Sequence, residues 1–286
     1  MTGLAIYIGA TQIGESKQTA GSLSRWVTDI DWGDPTLTVF GHPSPMDKGF
    51  IRTGTAHAAA RTVSFTIVSE YVGANAERFI HDEIWDDLPD LLSPGRGGVD
   101  LRVDRTDSAG GTTSRILTCD TVQLPDPYKI ESYYVQGSEA RAWAKTPVTL
   151  QANFPLWRDR EEQAVDTVAL ATTPGTAIAP AYTNGGYVAC GLRAVLSSIV
   201  GVWTSISISM TEAATAVTWT DATFANSDAL DFWVTDPQAV TWSSGTAINA
   251  AGDAALARGT NNGTIIGVGG TSGTVTLTTR RFWKGP

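Results

Sequence analysis

Apolar residues recur at every second position through much of the chain. Val63, Phe65 and Ile67 alternate with Ser64 and Thr66; Val99, Leu101 and Val103 alternate with Asp100, Arg102 and Asp104; Val148 and Leu150 flank Thr149. A period of two puts one face of a strand in a core and leaves the other wet. One stretch breaks the pattern. Phe79/Ile80, Ile84, Leu88 and Leu91/Leu92 return at helical spacing, with Glu83, Asp86 and Asp87 on the opposite side. Asn75 is placed to cap this helix, and Pro89 to end it or break its last turn. Ser93-Pro94-Gly95-Arg96-Gly97-Gly98 then reads as a turn into the next strand. A lone helix with one apolar face must pack on a sheet.

The second part of the chain has almost no helical periodicity. Val202, Thr204, Ile206, Ile208 and Met210 alternate with Gly201, Trp203, Ser205, Ser207 and Ser209. Val217 and Trp219 continue the pattern, as do Leu230, Phe232 and Val234, then Val240 and Trp242, and last Val275 and Leu277 running on to Phe282 and Trp283. Turn signals punctuate them at Asn184-Gly185-Gly186, Asp236-Pro237, Ser243-Ser244-Gly245 and Asn261-Asn262-Gly263. Many short strands with such punctuation predict a β-sandwich.

Charge divides the chain. It has 286 residues, 20 Lys+Arg and 29 Asp+Glu, yet only eleven of these charged residues lie beyond residue 170. The shift predicts two domains, 1–160 and 165–286, joined by the polar segment Arg158-Asp159-Arg160-Glu161-Glu162-Gln163. With 42% hydrophobic residues the chain can bury a sizeable core. Its net charge of −9 argues against a protein whose main work is gripping nucleic acid or an anionic membrane surface, both of which need clustered cations. The first eight residues carry no basic side chain and too short an apolar run for a signal peptide, and no stretch approaches the ~20 apolar residues of a membrane span.

The search for reactive constellations nominates no catalytic, cofactor-binding or metal-binding residue. Cys119 and Cys190 are too few for a disulfide framework or a cysteine metal site and read as buried hydrophobes. Gly9 and Gly14 have the spacing of a phosphate loop, but Glu15 stands where a lysine is needed. Gly267, Gly269, Gly270 and Gly273 lack the dinucleotide-binding spacing and read as a glycine-rich hairpin. His42, His57 and His81 form no zinc pair and sit by no nucleophile elbow. Asp29, Asp31 and Asp34 cluster around Trp32-Gly33 and could ligate calcium, but they lack the closing bidentate glutamate, so a solvated turn is the expectation. Asp104 and Asp107 bracket Arg105-Thr106 in a similar way, and Asn262-Gly263-Thr264 reads as a hairpin turn. Trp203 and Trp233 are out of phase with the apolar positions of their strands, which predicts that they face outward, over a second sheet or a subunit contact or as platforms for sugar rings.

The stretch from Trp143 to Asp159 holds Val148-Thr149-Leu150-Gln151-Ala152, then Pro155-Leu156-Trp157. It resembles the end of the N-terminal domain of the distal tail proteins of phages with long non-contractile tails. The acidic and apolar helix followed by Leu91-Leu92-Ser93-Pro94-Gly95 is similar too, as are Leu230 to Asp236 and Val275 to Trp283 in the second part. Phe154 stands where other members have an aspartate before the proline. The resemblance implies a mainly β fold: a tail-tube-like, ring-forming N-terminal domain with one packed helix, and a C-terminal galectin-like β-sandwich. It implies a non-enzymatic structural protein of the virion tail tip, assembled in the host cytoplasm. A ring, typically a homohexamer, would join the tail tube protein to tip hub or receptor-binding proteins, without membrane insertion or specific nucleic-acid binding. An acidic lumen would let DNA slide through. The alternative is a carbohydrate-binding sandwich that contacts the host surface.

Overall fold

The computed structural model describes residues 3–13, 23–34, 37–38, 41–43, 50–52, 57–58, 60–92, 98–123, 131–135, 141–171, 175–220, 224–232, 234, 240–242, 249–252 and 254–286. The chain forms two compact units, Met1–Trp157 with Lys284–Pro286, and Arg158–Trp283.

The first unit begins with β1 (Gly3–Ile8), β2 (Thr11–Gln12) and β3 (Leu23–Asp31). Two short ladders follow, β4 (Leu37–Thr38) with β7 (His57–Ala58) and β5 (Gly41–Pro43) with β6 (Phe50–Arg52). Next come β8 (Arg61–Val72), a helical segment, β9 (Val99–Thr106), β10 (Thr112–Cys119), β11 (Thr121–Gln123), β12 (Glu131–Val135) and β13 (Arg141–Ala152). Strands β2-β1-β9-β10 are neighbours in one antiparallel sheet, and β11-β13-β8-β3 form another, with β12 also on β13. Two of the alternations read from the sequence define the buried faces. Val63 lies opposite Leu150 and Phe65 opposite Val148, all buried. Leu101 and Val103 of β9 are buried between Ile6 and Ile8 on one side and Leu117 on the other.

The helix departs from expectation in several ways. It runs as α1 (Ala76–Asp82), a π-helical turn (Glu83–Asp87) and α2 (Leu88–Leu91). Its buried positions are Ala76, Ile80, Ile84, Leu88 and Leu92, a spacing of four. In a pure α-helix that spacing drifts by about 40° per step, and the wider π turn takes up the drift. Asn75 precedes the helix in the left-handed region (φ 60°) and makes no side-chain cap. Pro89 does not break the helix, because after the π turn it falls in the first turn of α2, where its missing N–H costs little. Phe79, expected in the core, is 46% exposed, and Glu83, expected in solvent, is fully buried. Ala76, Ile80 and Ile84 pack on Ala142 and Ala144 of β13, whose small side chains let the helix approach the sheet closely.

The second unit consists of strands with no helix among its described residues. In order they are β14 (Trp157–Asp159), whose first residue belongs to the first unit, β15 (Gln163–Ala169), β16 (Thr176–Asn184), β17 (Cys190–Val200), β18 (Trp203–Met210), β19 (Thr215–Thr220), β20 (Ala229–Phe232), β21 (Val240–Trp242), β22 (Asn249–Gly252), β23 (Ala255–Leu256), β24 (Gly259–Gly269), β25 (Ser272–Thr279) and β26 (Phe282–Trp283). One antiparallel sheet runs β15-β25-β17-β20-β21, the other β16-β24-β18-β19-β22. Leu192, Ala194, Leu196, Val275 and Leu277 bury one face; Ile206, Ile208, Val217, Trp219 and Ile265 bury the other. Asn261-Asn262-Gly263 is not a turn but lies inside β24. The buried Asn261 amide closes the preceding loop instead, accepting from the Ala257 N–H at 2.8 Å and donating to the Ala257 and Gly259 carbonyls at 2.9 and 2.8 Å. Asn262 donates its backbone and side-chain amides to the Glu212 carboxylate at 2.5 and 2.6 Å.

Candidate functional site

Most of the described side chains that the sequence offers for chemistry are engaged in local structure. Asp29 sits at a break in the β3–β8 register with φ 54° and accepts from the Thr28 hydroxyl at 3.0 Å. Asp31 accepts from the Gly33 N–H at 2.9 Å, closing a turn, and Asp34 lies 3.4 Å from the Lys284 ammonium. Among the described residues no three His, Cys, Asp or Glu side chains converge as metal ligands. Asp107 holds the β9–β10 turn by accepting from the Ala109 and Gly111 amides, and Asp104 accepts from the Ser114 hydroxyl. Gly9 (φ 58°) turns the chain from β1 into β2 as a hairpin, while Gly14 and Glu15 lie outside the described residues. His81 is exposed, while the side chains of His42 and His57 lie outside the described residues. Both cysteines are buried, and burial pushes the Cys119 thiol up to about 12 and the Cys190 thiol up to about 11.

Trp203 does not face outward. It is 2% exposed, and its indole N–H donates to the Ser272 carbonyl at 3.1 Å. The physical reason is a β-bulge: the pairing of β18 with β24 slips between Trp203 and Ser205, and the extra residue turns Trp203 to the same face as Ile206. The glycine-rich hairpin β24–β25 serves this indole. A Cβ on Gly267 would lie 2.3 Å from the ring, and one on Gly270 2.1 Å from it. Trp219 is buried as well, edge-on to Phe224 at 5.1 Å. Trp233 and the Trp242 side chain lie outside the described residues.

The Pro155-Leu156-Trp157 stretch is a core anchor. Trp157 is fully buried and meets Trp32 edge-to-face at 5.7 Å. Gly33 follows Trp32 with φ 58°, and a Cβ there would sit 2.0 Å from the Thr62 carbonyl oxygen, so only glycine fits. Beside it lies Arg61, whose burial lowers its pKa and whose Nη2 donates to the Lys284 carbonyl at 2.5 Å. In the second unit, Asp159 accepts from Arg281 Nε at 2.7 Å and from the Trp283 indole at 2.8 Å.

One feature could not be found in the sequence. Glu83 receives both arms of Arg25 at 2.6 Å and the Ser69 hydroxyl at 2.9 Å, tying the π turn to β3 and β8. Its partner stands 58 positions earlier, so no local signal reveals the pair. With Glu83 turned inward, aromatic side chains turn outward. Phe79 stacks on Tyr71 at 4.3 Å and Trp85 tilts over His81 at 5.9 Å, with Phe79 and Trp85 46% and 45% exposed. Glu77, Asp86 and Asp90 of the same segment are exposed as well. Exposed aromatic rings are enriched at protein interfaces.

No family model matches the chain, and no curated protein does. Among solved structures it is similar to the Dit (gp 19.1) protein of phage SPP1, described as a paradigm of the hub adsorption apparatus in phages that infect Gram-positive bacteria. The similarity has a TM-score of 0.55 at 14% identity and covers 97% of this chain and 98% of that one. The fold is therefore that of a distal tail protein over nearly its full length, as the Pro155-Leu156-Trp157 segment and the lone helix among strands led us to expect.

Proposed function

We propose that the chain is a non-catalytic structural component of a phage tail tip. Copies assemble into a ring, a homohexamer, through the first unit. The ring joins the tail tube to the hub or receptor-binding proteins, and the second unit is a galectin-like sandwich. The observation that carries this reading is the likeness to the SPP1 hub protein, which extends over both units and not one module alone. The chain's own chemistry is in keeping with it. Its side chains are spent on packing and turn closure, and its acidic balance suits a conduit for a polyanion. Native mass measurement of the purified protein tests the reading, with six copies expected. Negative-stain images should show rings with a central hole. A strictly monomeric species at high concentration overturns it.

A further inference from the structure

We infer that the outer face of the helical segment is an interface for a second copy of this chain, which seats Leu4 and Arg105 against Phe79 and Trp85. The inference rests on the ring reading above and names the surfaces such a ring uses. A ring is closed by a heterologous contact, in which two different patches of one chain meet. The first unit carries two patches that suit each other. On the helix, Phe79 and Trp85 are about half exposed, and the exposed Glu77, Asp86 and Asp90 of the same segment have no hydrogen-bond or ion-pair partner among the described residues. On the sheet, Leu4 of β1 and Arg105 of β9 lie directly opposite each other in the ladder, so their side chains share a face. Leu4 is 42% exposed, and Arg105 is exposed with no partner among the described residues. Among the described residues, Arg102 lies 3.5 Å over the Tyr7 ring and Arg25 is locked to Glu83, while the exposed Arg78 of the helix pairs with Asp82 at 3.8 Å. Exposed aromatic and unpaired acidic side chains on one element thus complement an apolar side chain and a cation, unpaired among the described residues, on another. Arg is the cation best suited to stack on an indole while it pairs with a carboxylate.

The test uses the full chain and measures the concentration at which the assembly half-dissociates, by mass photometry and analytical ultracentrifugation. Asp86→Arg and Arg105→Glu should each raise that concentration by about tenfold or more, the scale of one interface contact of ~1.4 kcal/mol. The double swap should return it to within about threefold of the wild type. Trp85→Ser should raise it further than either single change. All three positions are exposed, and unchanged thermal melting of each variant at a concentration where the wild type is dissociated separates lost assembly from lost folding. Variants that assemble like the wild type overturn the inference and leave the ring standing, as does a double swap with no recovery. So does normal assembly joined to lost binding of a tail tube protein, which would give the face a different occupant. A wild-type chain that never assembles removes the ring reading itself.

Discussion

Trp157 shows how much one side chain in this chain can be asked to hold. It is fully buried and packed edge-on against Trp32, which is itself fixed by a turn that only Gly33 can make. Trp157→Ala should therefore cost about 3–5 kcal/mol, the range for truncating a buried aromatic ring to alanine. Denaturant unfolding followed by circular dichroism would read it, and a midpoint like the wild type's would mean the ring is not a core anchor. This residue was legible in the sequence because Pro155 and Leu156 precede it at the end of a clearly alternating strand. Glu83 was not, although its role is as definite. A carboxylate close to Asp86 and Asp87 reads as solvent-facing by its charge, although the third position after Ile80 borders the buried face, and only the approach of Arg25 and Ser69 offsets the cost of burying it. Trp203 misled for a related reason. Alternation assigns a face only while the register is unbroken, and a bulge leaves no mark in composition.

At the scale of elements, period two revealed the strands and spacing of four revealed the helix, but neither revealed how the ends are held. The β24–β25 hairpin is the clearest case. Its glycines read as mere turn formers, whereas two of them make room for the Trp203 ring. Gly270→Ala should destabilise the second unit by roughly 1–3 kcal/mol, the usual cost of overpacking, with added strain because Gly270 has φ 56°. A lowered melting temperature together with a shifted tryptophan emission spectrum would report it; an unchanged spectrum would mean the indole sits elsewhere. The start of β15 is held by charge. Burial works against the ionised form of Glu162, but the Thr278 hydroxyl and the guanidinium of Arg193, each at 2.8 Å, with Arg280 nearby, outweigh it and hold its pKa below the ordinary 4.5. A carboxylate depressed in the folded state contributes stability that is present above that ordinary value and is lost as the pH falls through the folded value. Glu162→Gln should thus lower stability near neutrality and flatten its decline below about pH 4.5. Unfolding midpoints measured from pH 3 to pH 7 check this, and parallel curves for the two proteins would contradict it.

For the whole molecule, the balance of charge sets how copies meet. Each chain carries a net charge of −9, so copies in the proposed ring would repel one another at long range even where single contacts attract. The two effects respond differently to salt. The screening length is about 30 Å at 0.01 M and about 8 Å at 0.15 M. Raising the salt over that range removes repulsion between whole subunits first. Ion pairs enclosed in an interface, a few ångströms apart and partly dry, are screened much less. Assembly should therefore tighten from 0.01 to 0.15 M salt, and Arg105→Glu, which makes each chain more acidic by two charges, should show the steeper dependence. Half-dissociation concentrations across a salt series read both effects. A ring that loosens steadily over the same range would mean that attractive pairs outweigh the net charge, and that the acidic balance has no part in how the subunits come together.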